Sequence, residues 1–377
     1  MSRFFRRFRR KSSKSSFELP EDFEEWVSVL RQHKVAEIPP QFDHIIEIDA
    51  DANPVAAFRV LLDHHIQAAP VFDSKAGKYV GFLSIRQLAD VPELLDIPTG
   101  DSRTITEEEL LSLWLNEHSG VTTRYLAQKT PFRPVRMNAS LVEAAATLGT
   151  GVHRCPVVND EGRCVNLISQ LSLVKIFFRY LDQLTLASSM ALCDLGIGTP
   201  EVRTVSATDS AKRVFSLMSQ LNLGSVPIVD HQGRMVGKTS SHDLEIFLHK
   251  PMSMHKPILQ FLAQIRAQDY PKKSPHQKFT IVGDCRMTLE TAIRQLATAS
   301  RHHIMMMNGS GQPIRVISVG DIVRYATRHA GWREFEQLRL QEEALLKPAG
   351  SDAVKSATEQ KDVAAAAAAD ALPAIRE

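Results

Sequence analysis

A short apolar run, a tight polar turn and a second apolar run ending on a hydroxyl residue recur along the chain. The clearest copy spans residues 153–169, where Cys155-Pro156-Val157-Val158 leads through Asn159-Asp160-Glu161-Gly162 to Cys164-Val165-Asn166-Leu167-Ile168-Ser169. β-branched residues and Leu fill both runs, and the acidic-Gly turn supplies a short loop, so the segment predicts a β-hairpin. Ala68-Ala69-Pro70-Val71-Phe72-Asp73 running to Val80-Gly81-Phe82-Leu83-Ser84 is a second copy. Ser225-Val226-Pro227-Ile228-Val229-Asp230 running to Val236-Gly237-Lys238-Thr239-Ser240 is a third. A degenerate fourth runs from His302-His303-Ile304-Met305-Met306-Met307-Asn308 to Val316-Ile317-Ser318. A period of roughly 70 to 90 residues is too long for a solenoid and suits small domains in tandem.

Each hairpin has the same predicted flanks. A strand and a helix precede it: Ile45-Ile46-Glu47-Ile48 and residues 54–65, 133–136 and 140–148, 202–205 and 209–221, 278–282 and 289–299. Pro54 suits a first helical turn, and Ser140-Leu141-Val142-Glu143 fits a capping box. A helix follows each hairpin, beginning near Ile85 and spanning 172–184, 243–248 and 321–329. Every unit therefore predicts strand–helix–strand–strand–helix. Four such units bury their sheets in pairs, giving an α+β protein in two pseudo-symmetric halves. The division is a basic arm (1–17), repeat one with a leading helix and linker (18–120), repeat two (121–190), repeat three (191–252), a linker with repeat four (253–332), and a tail (333–377). The leading helix places Phe23, Trp26, Val27 and Leu30 on one face. Helices are also expected at 107–116, around 258–262 and at 333–346, with a loop at 271–275 and a disordered Ala-rich stretch beyond Pro348.

Charge changes the picture only at the N-terminus. Seven cations, from Arg3 to Lys14, precede the first acidic residue, Glu18, although the net charge is only +2. This arm reads as a solvated disordered segment. Its Arg- and Ser-rich, acid-free composition also fits an organelle transit peptide. With Phe4, Phe5 and Phe8 interleaved, it also fits contact with anionic membrane or a targeting receptor. The four cysteines are scattered, with no C-x-x-C pair. That favours a reducing compartment, with a cytoplasmic or nuclear location the expectation. Cys155 and Cys164 flank one hairpin, where they could face each other or serve as small buried hydrophobes. No apolar run reaches the roughly 18 residues of a membrane span. No P-loop, dinucleotide fingerprint or nucleophile elbow occurs, and the repeats use almost the whole chain, so a non-enzyme is expected. Gly149-Thr150-Gly151 follows a helix and reads as a helix C-cap. Met305-Met306-Met307 reads as strand core.

The repeated unit resembles the cystathionine-β-synthase (CBS) domain, a nucleotide-sensing module that works in side-by-side pairs called Bateman modules. Four copies in this order resemble the gamma subunit of AMP-activated protein kinase over about residues 28–328. Phe132-Arg133-Pro134-Val135, Asn138-Ala139-Ser140-Leu141 and His153-Arg154-Cys155-Pro156-Val157 look like its second repeat. Ala68-Ala69-Pro70-Val71-Phe72-Asp73 looks like its first. Leu195-Gly196-Ile197-Gly198-Thr199 looks like the start of its third, and Ser318-Val319-Gly320-Asp321-Ile322 like its fourth.

The resemblance implies a function. Adenine nucleotides (AMP, ADP or ATP) lie in clefts between paired repeats, an Asp at the start of each last helix takes the ribose hydroxyls, and His, Arg and Lys meet the phosphates. Carried over, the candidates are Asp243 with Ser240, Asp321 with Ser318, the pair His153 and Arg154, His302, and Thr199 near the base. Ser84, Gln87, Ser169 and His303 are secondary positions. Gln87 and Ser172 stand where the Asp of repeats one and two would be. Gln67 and Leu171 replace expected cations, and His303 replaces an expected Arg. Asp243 and Asp321 equally suit plain helix capping, and His153-Arg154 equally suits an exposed pair before a strand. The implied protein is a non-catalytic regulator of a Ser/Thr kinase, with a catalytic alpha subunit and a beta-type scaffold as partners and neither nucleic acid nor metal. The alternative is a stand-alone scaffold that binds another adenosyl ligand or none.

Overall fold

The computed structural model describes residues 21–40, 44–85, 87, 122–184, 189–221, 223–241, 243, 254–269 and 280–327. The chain divides into residues 1–328 and 329–377. The basic arm, the expected helix at 107–116, the loop at 271–275, the charged helix and the tail lie outside the described residues.

Four three-stranded sheets make up the β-structure of these residues, one per repeat. In repeat one, β1 (Ile48–Asp49) pairs parallel with β2 (Ala68–Asp73), which pairs antiparallel with β3 (Lys78–Ser84). Repeat two repeats this with β4 (Val135–Arg136), β5 (Arg154–Val158) and β6 (Cys164–Ser169). Repeat three uses β7 (Val205–Ser206), β8 (Ser225–Val229) and β9 (Met235–Ser240). Repeat four uses β10 (Ile281–Gly283), β11 (His303–Met307) and β12 (Pro313–Ser318).

The hairpins close for a reason visible in their turns. Asp73, Asn159, Asp230 and Asn308 each accept backbone N–H groups two to four residues on. Gly77, Gly162, Gly233 and Gly311 then take φ of 65 to 76°. This pairs an Asx turn with a residue that tolerates the left-handed region. All four hairpins also shift register near the end of the second strand of the sheet, two residues before it in repeat one, at Val71/Phe72, and one residue before it in the others, at Val157/Val158, Ile228/Val229 and Met306/Met307.

The helices include α1 (Glu21–Gln32), α2 (Pro54–Asp63), α3 (Thr123–Gln128), α4 (Leu141–Gly149), α5 (Gln170–Arg179), α6 (Ala211–Gln220), α7 (Ile258–Asp269), α8 (Leu289–Ala299) and α9 (Val319–Thr327). Several differ from the sequence expectation: α7 runs to Asp269, beyond the expected 258–262, and α9 starts two residues before the expected 321. The expected 172–184 helix starts at Gln170 and stops at Arg179, giving way to a 3-10 turn at Leu181–Gln183. Helix α3 has no counterpart in the hydrophobic pattern because it is six residues long and leaves Tyr125 exposed. The capping box at Ser140 does not form: its side chain makes no cap bond. The first N–H of α4, from Leu141, is instead donated to the His33 carbonyl at 2.9 Å.

That bond is one case of a general exchange. Residues 33–38 precede repeat one but pair with repeat two, with the Val35 N–H donated to Ala139 O at 2.9 Å. Residues before repeat two return the contact to repeat one, through Phe82 N–H to Thr130 O at 2.9 Å. Residues before repeat three lie on repeat four, where Thr199 and Val316 exchange both backbone bonds, at 2.9 and 3.2 Å. Residues before repeat four lie on repeat three, with Ile258 N–H donated to Asp209 O at 2.8 Å. Swapped lead-in segments thus tie one to two and three to four.

The helices join the pairs. One apolar cluster runs from Phe58, Leu61 and Leu62 in repeat one to Val214 and Phe215 in repeat three and Phe261 in α7. Helices of repeats two and four pack together, α4 with α9 and α5 with α8. Trp26 of α1 is fully buried there, edge-on to Phe177 at 4.8 Å and to Tyr325 at 6.2 Å. Met305 and Met306 are fully buried, as core strand residues should be. Cys155 and Cys164 do not face each other: Cys155 pairs with Ile168, and Cys164 with Val158. Both are buried, and burial pushes the Cys164 thiol up to about 12. Cys193 and Cys285, far apart in sequence, are the thiols that meet. No helix among the described residues is long and apolar enough to cross a membrane.

Candidate functional site

The candidate residues gather at the end of each hairpin, where α5 and α9 begin in repeats two and four; the helices expected near Ile85 and at 243–248 lie outside the described residues. At that mouth the last strand of every repeat ends on Ser, and the residue three further on turns back to accept its N–H. Ser84 N–H is donated to Gln87 Oε1 at 2.9 Å and Ser169 N–H to Ser172 Oγ at 3.2 Å. Ser240 N–H is donated to Asp243 Oδ2 at 2.9 Å and Ser318 N–H to Asp321 Oδ2 at 2.8 Å. The four positions are therefore structurally equivalent, and in repeats two and four, where the following helix is among the described residues, they act as helix-start caps. Capping does not use all the capacity of a carboxylate, which accepts about four hydrogen bonds.

What else each one touches separates them. In repeat one, Gln87 is buried and its amide donates to Leu126 O at 2.7 Å, so both of its ends are engaged. In repeat two, Ser172 also bonds Ser169 through their hydroxyls, at 2.9 Å. In repeat three, Asp243 takes Thr239 Oγ1 at 3.0 Å and two donors of Arg266, at 2.8 and 3.0 Å, leaving its side chain 5% exposed. In repeat four, Asp321 binds Ser318 Oγ at 2.7 Å and Arg324 at 2.9 Å, with its side chain 15% exposed and that of Arg324 57%. Asp321 is the more open carboxylate.

Opposite each closing Ser stands the first residue of the hairpin: Ala68, Arg154, Ser225 and His303. Side chains able to carry positive charge thus occupy this position in repeats two and four and not in one and three. His153 and His302 lie one residue earlier, both exposed. Gly320 packs against the Gln170 side chain so closely that a Cβ would lie 3.0 Å from its amide. The starts of α5 and α9, and with them Ser169 and Ser318, therefore lie side by side. Thr199 is exposed on the lead-in segment bridged to Val316. No group of three or more His, Cys, Asp or Glu able to hold a metal occurs among the described residues.

Three cations at the repeat-three mouth escape sequence reasoning. Arg266 of α7 holds Asp243 and also donates to the Lys238 carbonyl at 2.9 Å. Lys238 lies on β9, within electrostatic reach of Arg301 from repeat four, and burial pushes its ammonium down to about 8, with Arg301 adding to the shift. A signal for Lys238 was present. Its register partner is Pro227, and the matching positions facing Pro70, Pro156 and Met305 are Phe82, Leu167 and Val316. It is a Lys in an apolar slot.

Comparison with known proteins places this architecture. Residues 35–93, 127–179 and 194–249 match the family described as CBS domain. Repeat four carries the same sheet and mouth, and the protein is of mixed α+β class with CBS repeats. Among solved structures, a Methanocaldococcus jannaschii protein described as a proposed archaeal homologue of the AMP-activated kinase gamma subunit aligns with a TM-score of 0.57. It is 16% identical, the alignment covers 78% of this chain and 99% of that one, and at this identity the likeness shows the fold. Among curated proteins, similar chains include ones of another name. Protein sds23 of Aspergillus clavatus is 32% identical over 151 residues, which is 37% of this chain and 28% of that protein. Protein sds23/moc1 of Schizosaccharomyces pombe is 23% identical over 255 residues, 63% of this chain and 61% of that protein. The chain thus spans between about a quarter and three-fifths of the relatives it matches.

Proposed function

We propose that this protein is a non-catalytic regulator that binds adenine nucleotides between its third and fourth repeats and passes the occupancy to a Ser/Thr protein kinase of the AMP-activated type. The observation that carries the reading is the repeat-four mouth. There Asp321 keeps a carboxylate oxygen at the surface, His303 pairs with Ser318, and the Gly198-Thr199 segment of the partner repeat crosses alongside at Val316. A carboxylate for two hydroxyls, an apolar strand for a base and cations for phosphate are the groups a nucleotide needs. Regulation then follows from different affinities of AMP, ADP and ATP for two conformations. A catalytic alpha-type subunit and a beta-type scaffold are the partners, in the cytoplasm or nucleus. Isothermal titration of the folded chain with AMP, ADP and ATP tests the binding, and absence of heat with all three overturns it. Co-purification with the kinase tests the partner.

A second reading has its own support: a stand-alone interaction scaffold binding another adenosyl ligand or none. Gln87 and Asp243 are both fully engaged inside the protein, and curated proteins similar to the chain include ones named sds23. Under it, the chain pulls down a partner equally well with and without nucleotide.

A further inference from the structure

We propose that Cys193, in the lead-in to repeat three, and Cys285, in repeat four, form an oxidative modification site. A hydroperoxide joins them in a reversible disulfide, which fastens the crossing segment 191–199 to repeat four. The fastening acts with or without a bound nucleotide.

The backbone brings the two thiols together. Ala191 bridges Thr288 in an antiparallel pair, with Leu192 N–H donated to Met287 O and Leu289 N–H to Met190 O, both at 3.0 Å. Both chains then turn at the same end of this short ladder. On one side the N–H groups of Asp194 and Leu195 return to Ala191 O, at 3.0 and 3.2 Å, and hold Cys193 in a turn. On the other, Met287 N–H is donated to Asp284 O at 3.0 Å and Arg286 N–H to Asp284 Oδ1 at 2.9 Å, which holds Cys285 in a second turn. The two side chains hydrogen-bond across the gap. Disulfide geometry demands neighbouring backbone positions, and the bridge supplies them.

The environments of the two thiols divide the chemistry between them. Cys285 is exposed and Cys193 half-buried. Burial, and then the hydrogen bond to Cys285, push the Cys193 thiol up to about 11. Cys285 therefore meets the oxidant, and protonated Cys193 resolves it. The Cys285 thiolate attacks one oxygen of hydrogen peroxide and the O–O bond breaks. Cys285 becomes a sulfenic acid, and hydroxide leaves as water with the proton Cys285 gave up. The Cys193 sulfur then attacks the Cys285 sulfur. The S–S bond forms, the S–O bond breaks, and the Cys193 proton leaves with that oxygen as a second water. Two thiols lose two electrons, and one peroxide becomes two waters. A dithiol reductant reverses the step, as suits a reducing compartment, where disulfides are transient. Cys155 and Cys164 are the internal control: both are buried, neither opposes the other in register, and burial pushes the Cys164 thiol up to about 12.

The segment anchored at Cys193 continues into the crossing of repeat four. Ile197 O accepts Arg315 Nη1 at 2.9 Å, and Thr199 exchanges backbone bonds with Val316. A cross-link at its start holds the segment there and closes the long loop between residues 193 and 285, which contains the sheet of repeat three.

Peptide mapping of the full chain after stoichiometric hydrogen peroxide, with alkylation before and after denaturation, tests the site. The expected product is an intrachain Cys193–Cys285 disulfide that dithiothreitol reverses, with Cys155 and Cys164 alkylated only once the protein is unfolded. The oxidised chain should melt about 5 °C or more above the reduced one, and the amides of Thr199 and Val316 should exchange more slowly. Cys193→Ser and Cys285→Ser should melt as reduced wild type does and show no shift with peroxide. Free alkylation of both residues after peroxide, Cys285 sulfinic acid without a cross-link, or a disulfide between two chains overturns the site; each is read on the wild type, whatever the variants do. A disulfide that forms and leaves melting and exchange unchanged overturns the fastening.

Discussion

Repeats three and four carry the same short phrase, Ser-x-x-Asp, and fold it into the same cap, yet give its carboxylate opposite fates. Asp243 is sealed by Arg266, a residue of the lead-in helix of the other repeat, whereas the cation described on Asp321 is Arg324, one turn along its own helix. The difference lies outside the phrase, in what the swapped segment brings across. A motif match thus identifies a position and its capping role, and the partner segment decides whether a ligand finds the carboxylate open.

The largest expected effect follows from this contrast. Arg266→Met leaves the Asp243 carboxylate buried without its cation, which should destabilise the protein by about 3 kcal/mol, measured by urea unfolding. A loss no greater than that for an exposed pair would show that Asp243 is not sealed, and the contrast would collapse. If the variant retains its fold, nucleotide binding at repeat three should improve, because the competing guanidinium is gone.

The crossing segment itself comes next. Gly198 has φ +87°, and a Cβ there would lie 2.6 Å from Val316 O and 2.3 Å from the Ile317 side chain. Gly198→Ala should cost about 2 kcal/mol, from the strained backbone and the clash together. Gly151, at φ +101° in open space, is the control: Gly151→Ala carries the backbone cost alone, about 1 kcal/mol. Equal losses at the two sites would mean that the Thr199–Val316 crossing is not tight.

These features mark how far the sequence could be read. The four hairpins were legible because their signals are local: an Asx residue, a glycine with positive φ, and β-branched runs on either side. Helix α8 matches its expected limits, Leu289–Ala299, for the same reason, with Thr288 accepting the Thr291 N–H at 3.2 Å. What local sequence could not supply was the exchange of lead-in segments. That exchange explains the unused cap at Ser140, whose helix is started by the His33 carbonyl from over a hundred residues earlier. It also explains why α3 escaped notice, and why Arg266 was missed as the partner of Asp243. Lys238 was missed differently. Its anomaly shows only when the four copies are aligned by register and a charged residue appears in an apolar column.

The smallest expected effect discriminates best between capping and binding at Asp321. Arg324 is more than half exposed, and its bond to Asp321 Oδ1 spans one helical turn. Arg324→Met should therefore change stability by no more than about 0.5 kcal/mol. The cap is made by Oδ2, through the Ser318 N–H and hydroxyl, so it survives the substitution. Oδ1 is left free, and it is the oxygen that a ribose hydroxyl would have to win from Arg324. If Asp321 binds ribose, adenosine should bind Arg324→Met more tightly than wild type, while Asp321→Asn, which keeps a capping oxygen, should bind it more weakly. If Asp321 is a cap alone, neither change moves adenosine affinity, and the openness that distinguishes repeat four from repeat three has no role in binding.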